Sequence, residues 1–255
     1  MKFPVPKVWE DETVVILAGG PSLRTFSFDT IAVSGARVIA INDSWRLVPA
    51  EIRYWNRPPG FVFTPGSVTP KCALYFCDDK WWSSSQASNR RAMDNIDSFH
   101  DMIYRGWWFT GSLAFDLHPQ VNALKLTGQT GLETDPGGLR HGSNSGYQAI
   151  NLAYHFGAKK IILLGYDMKV QTLYVVDKNN NPTTRAINTH WHNEPRPDGF
   201  GDVLRQSMLP HFSTLVEPLR DAGVTVINAT PDSALTCFPV MTLEEALTGV
   251  EAMIP

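Results

Sequence analysis

Short apolar runs that end in glycine or in polar residues recur along the chain. Five of them are continuously apolar and lack the alternation that marks a strand with one solvated face. They cover residues 13–19 (TVVILAG), 37–43 (RVIAIND), 72–79 (CALYFCDD), 159–167 (KKIILLGYD) and 223–230 (GVTVINAT). Two weaker runs, RGWWFTG and QVNALKLTG, follow the third. The pattern predicts strands that are buried on both faces, as in a parallel sheet.

Helical periodicity appears between these runs. Residues 143–157 (SNSGYQAINLAYHFG) carry apolar side chains at helical spacing, with Ser143 or Asn144 as the expected cap and Gly157 as the stop. Residues 201–223 predict a helix that is broken or kinked near Pro210, and TLEEALTGV predicts a short final helix. Alternating strands and helices predict an α/β protein, with a Rossmann-like three-layer fold around a mostly parallel central sheet.

We expect residues 1–255 to form one nucleotide-binding domain, and three stretches of it have no clear period. Residues 48–70 are rich in Pro and Gly and predict an insertion loop. Residues 127–143 predict a long loop, and residues 168–200 predict an active-site loop or lid. Long loops in a compact domain are usually functional or mobile.

Composition narrows the class of partner. The 255 residues are 43% hydrophobic and 18% charged, with a net charge of −3. This balance gives no general electrostatic attraction to nucleic acid or to an anionic membrane. The sequence has no run of about 18 uncharged apolar residues, and its three cysteines lack CxxC spacing. We therefore expect a cytoplasmic protein with no membrane partner, and a homo-oligomer is left open.

Four of the strong runs end in residues that suit a binding crevice. In an open parallel sheet the carboxyl ends of the strands share one edge, where ligands bind. Turn formation alone would also place Gly, Asn and Asp there. The strand-end candidates are Gly19, Gly20, Pro21, Ser22, Asn42, Asp43, Asp78, Asp79 and Asp167.

The GGPS segment after the first run has a specific physical use. Glycine lets the backbone approach a phosphate or a ribose closely, and free N–H groups at the start of a following helix attract an anion. The segment matches neither GxGxxG nor GxxxxGK[ST]. A second candidate anion site lies at Asn144, Ser145 and Gly146, where ordinary helix capping is the alternative.

Two histidines stand in the polar segment THWHNE. His190 or His192 could act as a general base near neutral pH. With Glu194 and Asp198 they could instead hold a metal ion, or they could be ordinary exposed loop residues.

Together, GGPSL after a first strand, Asn42 after a second, Ser145 and Gly146 at a helix start, and the unit GAKKIILLGYD resemble bacterial sialyltransferases of glycosyltransferase family 42. The tail TVINATPDSALTCFP is similar too, and the likeness runs from about residue 13 to residue 239. Proteins of bacterial viruses and prophages with the same architecture are also similar. If the chain is phage-encoded, as these similar proteins are, the expected compartment is the host cytoplasm.

The family resemblance implies an inverting transfer of a sugar from a nucleotide-activated donor to an acceptor hydroxyl. It implies no metal and no cofactor, so the expected partner is a nucleotide or a nucleotide sugar. The GPS turn, Asn42 and Ser145 would hold the nucleotide. His192, or His190, would deprotonate the acceptor.

The leaving phosphate has its own candidates. Lys169 stands where the resemblance places the first of two tyrosines, and Tyr174 is the nearby tyrosine. A lysine can neutralise a leaving phosphate by its charge.

Two other functions stay open. One is a Mg²⁺-dependent diphosphotransferase of the pterin-kinase type, with Asp78, Asp79 and Asp167 as ligands. The other is a catalytically idle nucleotide-binding phage accessory protein.

Overall fold

The computed structural model describes residues 5–7, 9–41, 44, 47, 74–76, 108–110, 122–176, 179–187 and 200–249. The described strands, in chain order, are β1 (Thr13–Leu17), β2 (Arg37–Ala40), β3 (Leu74–Phe76), β4 (Trp108–Thr110), β5 (Asn122–Gly128), β6 (Gly138–Arg140), β7 (Lys160–Leu164), β8 (Gln171–Val176), β9 (Pro182–Ile187) and β10 (Thr225–Asn228). The described α-helices are α1 (Asp29–Ser34), α2 (Ser145–His155), α3 (Phe200–Val203), α4 (Ser213–Asp221) and α5 (Leu243–Thr248).

The main sheet has the strand order β2-β1-β7-β10, and every neighbouring pair in it is parallel. Val14, Val15, Ile16 and Leu17 of β1 are completely buried. Continuous burial follows from helices covering both faces of the sheet, so no position along the strand needs a polar residue.

Two apolar clusters, one on each face, complete three layers. Val14 and Ile16 pack in a cluster with apolar residues of α2 and α4. Val15 and Leu17 point the opposite way, into a cluster with residues of α1 and α5. The fold is therefore α/β, with a Rossmann-like, mostly parallel sheet between two layers of helices, as the sequence predicts.

The connections of the main sheet diverge between its two central strands. From β1 the chain crosses to β2 on one side, whereas from β7 it crosses to β10 on the other side. This divergence makes the gap between the carboxyl ends of β1 and β7 a topological switch point. Open α/β sheets bind ligands in the crevice at such a point.

A second parallel sheet has the order β3-β4-β5-β6 and corrects one prediction. Residues 127–143 were predicted as a long loop, but Gly138–Arg140 pair with β5 as strand β6. The pairing shifts register between Leu126 and Gly128, and the strand is only three residues long. So short a strand leaves little periodicity to detect.

The segment after β7 contains a hairpin. Residues 168–200 were predicted as an active-site loop or lid, and within them β8 and β9 pair antiparallel, with Tyr174 opposite Thr184, while residues 188–199 lie outside the described residues. The turn of the hairpin contains Asn180 at φ +64°, a left-handed conformation that asparagine tolerates better than most residues. The hairpin forms its own two-stranded sheet.

The two C-terminal helix predictions are confirmed. The helical stretch after Phe200 is irregular around Pro210, with a π turn at Leu204–Met208 and a 3-10 turn at Leu209–Phe212 before α4. Helix α5 begins with a capping box between Thr242 and Glu245. Among the described residues, no helix has the length and apolar composition that crossing a membrane requires.

Candidate functional site

The turn after β1 lies at the switch point and is fixed to the end of β7. The Gly20 N–H donates to the Gly165 carbonyl at 2.9 Å. Pro21 then opens a 3-10 turn that runs to Thr25. A Cβ on Gly20 would lie 1.8 Å from Asp167 Oδ2, so only glycine fits against this carboxylate. Where the sequence analysis expected a helix start after this segment, the structure has a 3-10 turn.

Asp167 makes the main polar contact of this turn. Its Oδ1 accepts the Ser22 N–H at 3.1 Å, and its Oδ2 accepts the Ser22 hydroxyl at 2.7 Å. The residue is only 6% exposed. Burial raises the pKa of the Asp167 carboxyl, and the hydrogen bonds from Ser22 and the charge of Lys169 oppose that rise.

The start of α2 lies against Tyr166, the residue before Asp167. The Tyr166 hydroxyl donates to the Gly146 carbonyl at 3.0 Å, and a Cβ on Gly146 would come within 2.7 Å of the tyrosine ring. Asn144 caps the helix, with its side chain accepting the Tyr147 N–H at 2.8 Å. The GGPS turn and the SNSG helix start therefore contact successive residues of one strand end.

The segment after β10 holds the same strand end from a third side, which the sequence analysis did not predict. The Tyr166 N–H donates to Thr230 Oγ1 at 3.0 Å, and the Ala234 N–H donates to the Asp167 carbonyl at 2.9 Å. Ser233 donates its hydroxyl to the Tyr166 carbonyl. Thr230 follows an apolar run that ends in polar residues, so the criterion used for the other strands would have found it.

The carboxyl end of β2 reaches the same edge. The Ile41 N–H donates to the Leu17 carbonyl at 2.8 Å, and the completely buried Ser44 donates its hydroxyl to the Ala18 carbonyl. Sequence reasoning missed Ser44, because nothing in its neighbourhood distinguishes it from a turn residue.

Two of the phosphate candidates are described. Lys169 is exposed and close enough for its charge to lower the pKa of the Asp167 carboxyl. Met168, between them, has φ +51°, which is rare for a residue with a side chain. Tyr174 lies on β8 with 89% of its surface exposed. The remaining site predictions fall outside the described residues: Asn42, Asp43, Asp78, Asp79, His190 and His192.

A second polar cluster lies near the other end of α2. Glu133 accepts the Thr127 hydroxyl and the N–H groups of Thr134 and Asp135, at 3.0 and 3.2 Å. Arg140 pairs with it at 3.4 Å. The hydrogen bond from Thr127 is the largest of the effects that lower the pKa of Glu133.

Asn151 and His155 on α2 complete this second cluster. The buried Asn151 side chain accepts the N–H groups of Glu133 and Arg140, at 3.0 and 3.1 Å, and donates to the Glu133 carbonyl at 3.0 Å. His155 Nε2 lies 2.9 Å from the Gly138 carbonyl oxygen and 3.3 Å from Asn151 Nδ2. Burial lowers the pKa of His155. The cluster fixes residues 133–140 to the helix.

These features define an α/β protein whose turn after β1, helix start and β10 segment meet at the carboxyl edge of a Rossmann-like sheet. Neither protein-family models, nor curated proteins, nor solved structures contain a match for this chain.

Proposed function

We propose that this protein binds a nucleotide-activated sugar in the crevice between the carboxyl ends of β1 and β7, and transfers the sugar to an acceptor hydroxyl with inversion. The main observation that supports this proposal is that the GGPS turn and the start of α2 both contact residues 165–167, at the switch point of the sheet. Nucleotides are typical ligands of this position in Rossmann-like folds.

The start of α2 supplies the phosphate contact in this proposal. Asn144 caps the N–H of Tyr147, so the N–H groups of Ser145 and Gly146 are the first two donors of an 11-residue helix. The positive end of the helix dipole attracts an anion. Lys169, exposed beside Asp167, adds a positive charge for the leaving phosphate, and Tyr174 on the hairpin adds a hydroxyl.

The transfer needs one base. His192, or His190, takes the proton of the acceptor hydroxyl as its oxygen forms a bond to the anomeric carbon. The bond from that carbon to the phosphate oxygen breaks at the same time, and the nucleotide leaves with the electron pair. No metal is required for this balance.

Donor hydrolysis and transfer test the proposal. The purified chain is incubated with CMP-, UDP-, GDP- and TDP-linked sugars, and the released nucleotide is measured. We expect release from at least one donor, and a loss of about a hundredfold in Lys169→Ala. Lys159→Ala is the matched control, because Lys159 is also exposed but precedes β7 at the opposite edge of the sheet.

The base is tested in the same assay. We expect His192→Ala to lower turnover about a hundredfold and His190→Ala to lower it less. Unchanged turnover in the double variant would exclude both histidines. Tight nucleotide binding without turnover of any donor would contradict the transferase and leave a binding protein.

A further inference from the structure

The backbone donors of the turn after β1 are already used within the protein. The N–H groups of Gly20, Ser22 and Leu23 donate to the Gly165 carbonyl, the Asp167 carboxylate and the Gly20 carbonyl, at 2.9, 3.1 and 3.2 Å. Pro21 has no N–H. A phosphate binds to a turn through such donors, so residues 20–23 offer it none.

The side chain of Ser22 is committed in the same direction. A serine hydroxyl has one proton and two acceptor lone pairs, and the proton of Ser22 points to Asp167 Oδ2 at 2.7 Å. Ser22 is half-buried, so the residue is not closed off from a ligand. What the ligand meets there is an acceptor, next to a carboxylate that would repel a phosphate.

We infer that Ser22 accepts a hydrogen bond from a ribose hydroxyl of the nucleotide, and that the phosphate lies away from this turn. The inference rests on the nucleotide site proposed above and gives the ligand an orientation within it. A ribose hydroxyl can donate a hydrogen bond to Ser22, whereas a deprotonated phosphate has no proton to donate. Asp167 acts here as a positioning residue, because it sets which way the Ser22 proton points.

Ligand pairs test the orientation without any substitution. Calorimetry with the 5′-diphosphates of adenosine, cytidine, guanosine and uridine identifies the tightest binder, and its 2′-deoxy and 2′,3′-dideoxy forms are then compared with it. We expect the dideoxy form to bind about tenfold more weakly, the usual effect of a lost hydrogen bond in a shielded site. If the amino group of the nucleobase, and not the ribose, donated to Ser22, the ribo and dideoxy forms would bind with equal affinity.

Two substitutions test whether Ser22, positioned by Asp167, is the residue that recognises the ribose. Ser22→Ala removes the acceptor, so ribo and dideoxy forms should bind with equal affinity. In Asp167→Asn the amide can donate to the Ser22 oxygen and turn its proton outward. That variant should lose the preference for ribose and bind inorganic pyrophosphate about tenfold more tightly than the unsubstituted chain does. A merely structural role of Asp167 would not produce this reversal.

An exposed serine–aspartate pair provides the control. The Ser27 hydroxyl lies 3.4 Å from Asp29 Oδ2 just after the same 3-10 turn, and Ser27→Ala and Asp29→Asn should leave both affinities unchanged. If no diphosphate binds, the proposed function and this inference both fail. If diphosphates bind but ribo and dideoxy forms bind equally, or if Asp167→Asn keeps the preference, only this inference is overturned.

Discussion

Glu133 and Asp167 are two nearly buried carboxylates, 9% and 6% exposed, that accept the same kinds of donor. Each takes a hydroxyl and at least one backbone N–H. Their pKa values nevertheless shift in opposite directions. The Thr127 hydrogen bond dominates at Glu133 and lowers its pKa, whereas burial dominates at Asp167 and raises its pKa.

The difference separates a structural polar cluster from a candidate site. The charge of Glu133 has enough donors to be more stable in the folded protein than in water, so this cluster strengthens the fold. The charge of Asp167 is less stable folded than in water, although it lies where three segments meet. Ionisable groups held against their preference in a crevice are candidates for binding or catalysis.

Substitution in the second polar cluster, around Glu133, should lower the free energy of unfolding most. Asn151→Ala would leave the buried N–H groups of Glu133 and Arg140 without their acceptor, and the Glu133 carbonyl without a donor. We expect a loss of about 3 kcal/mol in the free energy of unfolding, measured with urea. Gln206→Ala, at an exposed amide, should change it by less than about 0.5 kcal/mol. A loss as small as the control's would mean that the cluster is not structural.

At the turn beside Asp167, an added side chain should destabilise the fold by steric overlap. In Gly20→Ala the added methyl would overlap Asp167 Oδ2 and lie 2.4 Å from the Gly165 carbonyl oxygen. We expect about 2 kcal/mol of destabilisation together with loss of the proposed nucleotide binding, because Asp167 has to leave Ser22. Gly137→Ala is the matched control, since its nearest neighbour is Asp135 Oδ1 at 3.4 Å. Full affinity in Gly20→Ala would show that this turn is not part of the site.

The contrast also explains what the sequence could predict. The strands of the main sheet are buried on both faces, and a short β-branched run that stops at glycines, such as TVVIL, is typical of such a strand. The cap at Asn144 is local, three residues from its partner Tyr147. Both features depend on residues that are close in sequence, and the predictions of the strands and of the cap are confirmed.

The pairings that build both polar clusters are not local. Ser22 and Asp167 are 145 residues apart, and nothing along the chain says that the anion at the GGPS turn is the protein's own carboxylate. Glu133 and Asn151 are 18 residues apart, within a stretch whose short strand β6 has no period of its own. Strand-end polarity predicted the edge of the sheet at which groups meet, but not which group fills which position.

Removing each charge tests the comparison directly. Glu133→Gln keeps the size of the side chain but weakens the acceptor for three donors, so we expect it to destabilise the fold by about 1.5 kcal/mol. Asp167→Asn removes a charge that burial disfavours, so its free energy of unfolding at pH 7 should be unchanged or higher. Both are measured by urea unfolding in the same buffer. Equal losses in the two variants would contradict the distinction between the clusters.

The pH dependence of stability gives the smallest effect and the sharpest sign. Because the pKa of Glu133 is lowered from 4.5 on folding, its contribution is present above pH 4.5 and is lost as the pH falls through the folded value. The pKa of Asp167 is raised from 3.8, so its contribution is present below pH 3.8 and is lost as the pH rises through the folded value. Between pH 3 and pH 7, the stability lost in Glu133→Gln relative to the unsubstituted chain should therefore shrink toward acid. The relative stability of Asp167→Asn should instead rise toward neutral pH, and parallel curves for the two variants would refute the opposite shifts.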